Sequence, residues 1–224
     1  MPKATRTAKI AASLLSADFG CLREEIAAVE KAGVDRIHLD IMDGHFVPQL
    51  SFGPLVVAAV NRLTGLPLAA HLMLQRPDFH VQVFARSGAD LIVIHYEAGA
   101  PLEETLQLIR NLGCQVGMAV NPTTPVTVLE PYYDRLDQIV VMSVKPGLGG
   151  QEFIESVCSK IATVRSCLHR MGCNKVEIAV DGGITPANAR QVLAQGADVL
   201  VAGTAIFQSS DYSLAVQRLR TGEG

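Results

Sequence analysis

The chain has no lysine or arginine run, no Cys-x-x-Cys pair and no linker-like or low-complexity segment. Nor does any apolar stretch approach the roughly 20 residues that span a bilayer. Each absence removes a class. With no basic run and a formal net charge of −3, no nucleic-acid or membrane partner is expected. Cys21, Cys114, Cys158, Cys167 and Cys173 form an odd set without redox or metal spacing, which suits reduced thiols in a cytoplasmic protein. The opening MPKATRTAKI carries charge but lacks the apolar core of a secretory leader. Charged residues make up only 18% and hydrophobic residues 49%. One folded domain over residues 1–224 is therefore expected, with a sizeable core.

What the chain does have is a recurring pattern. Apolar, β-branched runs alternate with helical stretches, and the runs predict strands at 10–14, 36–41, 68–73, 91–95, 115–120, 139–144, 176–181 and 198–203. Most are apolar on both faces, which predicts a parallel sheet covered on both sides. Gly33, Gly88, Gly113 and Gly196 sit where helices should stop. Gly33-Val34-Asp35, Gly88-Ala89-Asp90 and Gly196-Ala197-Asp198 each lead into a strand. Thr124-Pro125 and Thr185-Pro186 read as N-cap plus first helical residue. Eight such units average about 28 residues, the size of a small α/β (β/α)8 TIM barrel. A doubly wound open sheet is the competitor, but the first strand runs into SLLSADFG rather than a glycine-rich loop.

Four residues stand at or near strand ends: His38 and Asp40 in HLDIMDG, His71 in AHLML and Asp181 in EIAVDGG. Strand alternation puts His38, Asp40 and Met42 on one face, and likewise His71 with Met73. Pointing into a barrel, these faces converge at the C-terminal rim, where barrel enzymes keep their active sites. Two imidazoles and two carboxylates suit one divalent metal ion, zinc foremost, with iron, manganese or cobalt also compatible. Asp40 and Asp181 can also stand on opposite faces of a substrate, removing a proton from one side of a carbon and returning it on the other. Met42, Met73 and Met142 face inward by the same alternation, as core or as a water-poor pocket wall. Late in the chain, glycine-rich loops follow three strands in succession: Gly147, Leu148, Gly149 and Gly150, then Gly182 and Gly183, then Gly203 and Thr204. Backbone N–H groups in such loops commonly hold phosphate.

Taken together, the segments SLLSADFG, HLDIMDGHFVPQLSFGP, AHLML, IHYEAG, GMAVNPTTP, VVMSVKPGLGGQEFI, VDGGI and VAGTAIF resemble the ribulose-phosphate 3-epimerase family along nearly the whole chain. The resemblance implies a metal-dependent isomerase of the pentose phosphate pathway, interconverting ribulose 5-phosphate and xylulose 5-phosphate at C3. His38, Asp40, His71 and Asp181 would be the metal ligands, with Asp40 and Asp181 also the catalytic acid/base pair. Ser13 and His71 would contact substrate or orient the metal site. The late glycines, with Leu148, Asp181 and Thr204, would line the sugar phosphate. Barrels of this kind often associate, so a homo-oligomer is expected, with Phe46, Val47 and Phe52 as exposed apolar candidates for an interface or a lid. Lys145, Leu148 and Ala12 depart from the family's usual residues.

Rival readings are an allulose-6-phosphate 3-epimerase, a Schiff-base aldolase using Lys145, and a non-catalytic phosphosugar sensor. Alternation turns Lys145 away from the inward face of Met142 and Val144. A decarboxylase motif D-x-K-x-x-D begun at Asp40 would need lysine at position 42 and aspartate at 45, where the chain has Met42 and His45. His95 and Glu97 read as rim residues in a supporting or plain structural role, His45, His80 and His169 as loop or surface, and Asp43 as ordering its own loop.

Overall fold

The computed structural model describes residues 7–223; residues 1–6, most of the charged opening, and residue 224 lie outside the described residues. Eight strands pair in chain order: β1 (Lys9–Ser13), β2 (Arg36–Met42), β3 (Leu68–Met73), β4 (Leu91–His95), β5 (Gln115–Val120), β6 (Gln138–Met142), β7 (Glu177–Asp181) and β8 (Val199–Ala202). Every pair is parallel, and β8 closes onto β1. The expected (β/α)8 barrel is the observed fold.

Helices α1 (Leu22–Lys31), α2 (Pro54–Asn61), α3 (Val81–Arg86), α4 (Leu102–Asn111), α5 (Val157–Arg170) and α6 (Pro186–Ala194) cover the outside. The short α7 (Thr204–Phe207) and then α8 (Tyr212–Thr221) follow β8. Outward-facing Ile37, Leu39, Leu72, Ile92 and Ile94 pack under them with Ile26 and Val29 of α1. Burying each such side chain is worth about 1.5–3 kcal/mol.

The fifth crossover departs from expectation. Val126–Arg135 winds as a 3-10 helix with Pro131 inside it, because proline lacks the N–H that an α-helix would need there and its ring clashes with the preceding turn. Thr124 is not its cap: Pro125 takes that position, and the Thr124 hydroxyl donates to the Glu97 carboxylate instead. Thr185 does cap α6, in a reciprocal box with Asn188. The four glycines read as helix stops all have positive φ, from 82° to 107°.

The aspartates of the Gly-x-Asp phrases have a structural purpose. The Oδ2 atom of Asp35 accepts from Ile10 N at 2.7 Å, that of Asp90 from Leu68 N at 2.8 Å, and that of Asp198 from Ile178 N at 2.8 Å. Asp137 does the same for Val116 N at 2.7 Å. Each carboxylate satisfies a donor at the start of the preceding strand, where the ladder has not yet begun. Glu177, paired with Lys9 and Arg36 and bonded by Gln138, closes the same N-terminal end of the barrel.

Above that plug the interior is filled by Ala11, Ala69, Leu91, Val93, Ala119, Val140, Met142, Ala179, Val199 and Val201. Gly117 belongs to this interior because a Cβ there would lie 2.6 Å from Val93 Cγ2. Gly117→Ala is therefore expected to destabilise the fold by about 1–3 kcal/mol. Urea unfolding would show a lower midpoint at unchanged slope. In the double variant Gly117→Ala/Val93→Ala, part of the loss should be recovered; strict additivity would contradict the proposed contact.

Candidate active site

The strand ends bring the four expected residues to one point at the C-terminal rim. His38 is 1% exposed, Asp40 5% and His71 0%, while the Asp181 side chain is 13% exposed. Parallel register sets Asp40 beside His71, and Ser13 beside His38. Asp181 arrives from β7, on the other side of β1 and β8.

One nitrogen or oxygen from each of His38, Asp40, His71 and Asp181 lies within 4.8 Å of all the others. Asp40 Oδ1 is 3.3 Å from both His38 Nε2 and His71 Nδ1, and Asp181 Oδ2 is 3.4 Å from both. The two ring nitrogens are themselves 3.3 Å apart. Charge-assisted hydrogen bonds are shorter, about 2.7–2.9 Å. Four donors at about 2.0–2.1 Å from a central ion, arranged as a tetrahedron, stand about 3.3–3.4 Å apart. The spacings of the two imidazole nitrogens to each other and to both carboxylates fit a shared divalent cation better than a hydrogen-bonded cluster.

Electrostatics agree. Burial pushes the His38 pKa down, but the Asp40 charge and the contacts to Asp181 and Asp40 outweigh it and lift it to about 10. His71 is raised in the same sense: burial opposes, and Asp181 and Asp40 prevail. Burial would raise both carboxyls, yet the neighbouring imidazoles hold Asp40 and Asp181 below their ordinary range. Without a cation, the site thus holds its two carboxylates by keeping protons on the rings.

Second atoms of the cluster are also held. Ser13 Oγ donates to Asp40 Oδ2 at 2.6 Å. His71 Nε2 lies 2.9 Å from His95 Nε2, and His95 Nδ1 lies 3.2 Å from Glu97 Oε2. Burial pushes the His95 pKa down to about 4.

Over this cluster opens a pocket. Asp40 and Asp181 form part of its lining, as do Ser13, Met42, Met73 and Met142, Leu148, and the glycines 147, 149, 150, 182, 183 and 203 with Thr204. His38 and His71 lie beneath, outside the lining. The loops after β6 and β7 interlock: Gly183, at φ +63°, would place a Cβ 2.6 Å from Phe153 N. No L side chain fits that approach without moving backbone.

The family model for the ribulose-phosphate 3-epimerase family matches residues 9–207. The chain belongs to that family. It is similar to the ribulose-phosphate 3-epimerase of Bacillus subtilis, 47% identical over 95% of this chain and 98% of the relative. The Escherichia coli K12 protein of the same name is 42% identical over 95% and 94%. A chloroplastic ribulose-5-phosphate-3-epimerase of Arabidopsis thaliana is 44% identical over 96% of this chain and 76% of the relative. Among solved structures, KGPDC from Streptococcus mutans superposes with a TM-score of 0.69 at 14% identity, covering 96% and 97% of the two chains. The 3-hexulose-6-phosphate synthase of Salmonella typhimurium also reaches 0.69, at 18% identity over 96% and 97%. Those two show the shared barrel. As a member of the epimerase family, the chain is an isomerase.

Val144, placed on the inward face from the sequence, lines this pocket, and so do Leu15, Ser16, Pro146, Gln151, Ile184 and Val201, which the sequence reading did not single out. Gln151 was detectable in principle, as the polar residue ending PGLGGQ. Its Nε2 donates to Lys145 O at 2.7 Å and Leu148 O at 2.8 Å, shaping the loop. Lys145 is exposed and lines a neighbouring cleft with Asn121 and Pro122, outside this pocket. The expectation that Phe46, Val47 and Phe52 are exposed needs correction. Val47 is 3% exposed, its Cβ filling the space where a side chain at Gly147 would sit. Phe52 packs half-buried near Phe19, and the Phe46 ring lies 4.8 Å from that of His95. Asp43 orders its loop as expected, accepting from His45 N and Phe46 N.

A cation needs neutral imidazoles, so its binding below the His38 pKa of about 10 must release at least one proton. Apparent zinc affinity is therefore expected to rise between pH 6 and 9, by about tenfold per pH unit for each proton released. Calorimetry in buffers of differing ionisation enthalpy would count the protons. Affinity independent of pH would contradict the cluster's charge state.

Proposed function

We propose that this chain interconverts D-ribulose 5-phosphate and D-xylulose 5-phosphate, a step of the pentose phosphate pathway, with Asp40 and Asp181 as the acid/base pair. One observation carries the reading. Two carboxylates from strands on opposite sides of β1 and β8 reach the floor of one pocket within 4.8 Å of each other. Inverting a carbon by proton transfer needs a base on one face and an acid on the other, and this pocket supplies that pair. The relatives named above support the substrate.

The C3 proton of the ketose phosphate is acidic because the neighbouring C2 carbonyl can accept the charge. One aspartate removes that proton, and the other, protonated, returns one to the opposite face. Ser13 holds Asp40 by its Oδ2, so the carboxylate turns a fixed edge to the pocket. Met42, Met73 and Met142 keep water from the reacting carbon; they are 6%, 2% and 3% exposed. The glycine turns after β6, β7 and β8, with Leu148 and Thr204, bring backbone close to the phosphate end.

His38, Asp40, His71 and Asp181 would hold one divalent cation, zinc first among zinc, iron, manganese and cobalt. When bound, it supplies Lewis-acid stabilisation for the negative charge that gathers on the C2 and C3 oxygens.

The test is proton exchange followed by NMR, with zinc-loaded protein and ribulose 5-phosphate in deuterated water. Deuterium should enter at C3 as xylulose 5-phosphate forms. Asp40→Asn and Asp181→Asn should each slow turnover by about 10²–10⁴-fold. Absence of exchange in metal-loaded wild type, with turnover of allulose 6-phosphate instead, would replace the pentose assignment with the hexose one.

A further inference from the structure

We propose that His95 and Glu97 act as a positioning pair that fixes the tautomer of His71, leaving Nδ1 of His71 bare and aimed at the metal donor cluster. The proposal rests on the metal-centre reading above and extends it to two residues that touch neither pocket nor cluster donor atoms.

Hydrogens can be counted along this chain of contacts from the outside in. A carboxylate can only accept. Glu97 Oε2 is 3.2 Å from His95 Nδ1, so that nitrogen carries the hydrogen. A neutral imidazole has one N–H, which leaves His95 Nε2 as an acceptor. The atom facing it at 2.9 Å is His71 Nε2, which must then donate. In the neutral ring that a bound cation requires, His71 Nδ1 is then left with its lone pair, and it is the atom 3.3 Å from Asp40 Oδ1 and 3.4 Å from Asp181 Oδ2.

Glu97 is itself clamped. Its Oε1 accepts from Asn121 N at 2.7 Å and from the Thr124 hydroxyl. Lys160 Nζ ties the same loop by donating to Asn121 O at 2.6 Å and Pro122 O at 3.0 Å. The His95 ring stacks on that of His71, with centroids 5.0 Å apart and planes 15° from parallel. Packing sets the ring planes, and the carboxylate sets which nitrogen holds the hydrogen. Partners of this kind typically change metal affinity by about 10–100-fold.

Glu97→Gln separates positioning from mere structure. Two donors already claim the Oε1 site, so the amide oxygen should settle there and its NH2 should face His95 Nδ1. The bonds from Asn121 and Thr124 keep their direction, those of His95 to residue 97 and to His71 survive reversed, and the hydrogen on neutral His71 moves to Nδ1, where it blocks a ligand position. The metal-free variant should therefore melt close to wild type while zinc affinity, read by competition with a chromophoric chelator, falls about 10–100-fold. Glu97→Asp, which keeps the acceptor, should recover part of that loss. Independently of any variant, long-range 1H–15N NMR of the zinc-loaded wild type should show His95 protonated on Nδ1 and bare on Nε2. Zinc binding lost in His38→Ala but unchanged in Glu97→Gln, or a His95 hydrogen on Nε2, overturns the positioning role alone. Zinc binding undiminished in His38→Ala overturns the metal centre and this inference with it.

Discussion

Two buried carboxylates and two buried imidazoles, packed within 4.8 Å of one another, are the constraint that the rest of this barrel serves. Ionised carboxylates so close together and so far from water are costly unless opposite charge compensates them. Protons on the rings supply that charge in the free chain, and a dication would supply more of it. Either way the cluster requires strands from both sides of the closure to deliver side chains to one point. An eight-stranded parallel barrel does so because alternation sends every second residue inward and strand ends meet at one rim.

Small residues below the cluster make room for it. Ala11, Ala69, Ala119 and Ala179 share the interior with larger side chains, and Gly117 yields its Cβ volume to Val93. Above the cluster, glycine turns let loops from β6 and β7 approach backbone to backbone. Polar partners behind the donors complete the arrangement, with Ser13 on Asp40 and His95 on His71. Thus the rim depends on packing beneath it and on hydrogen bonds both at the pocket wall, from Ser13, and behind it, from His95.

Much of this was legible in the sequence. Doubly apolar runs gave β3, β4 and β5 their full extents, since these are buried on both sides along nearly their whole length. β6 was expected to run to residue 144 and stops at Met142. Val144 packs in the loop instead, against Gly182. Period-two spacing was enough to place His38, Asp40 and Met42 on one face. What it could not supply was contact between non-adjacent residues. His95 lies two positions beyond Val93, the register partner of His71, and only the strand stagger brings the two rings together. Thr124 departs from its local pattern for a similar reason: the pattern suits a cap, but Glu97, 27 residues away, claims the hydroxyl. Val47 is buried rather than exposed because loop-on-loop packing against Gly147 leaves no periodic trace in the sequence.

The central claim is that these four side chains form one metal centre. The most direct measurement is a crystal structure of zinc-loaded protein with anomalous data on both sides of the zinc edge. The account predicts a single strong peak about 2.0–2.1 Å from His38 Nε2, His71 Nδ1, Asp40 and Asp181, with the strand ends as they stand now. A peak at other residues, or a fully loaded protein whose four side chains do not converge on the ion, would contradict it.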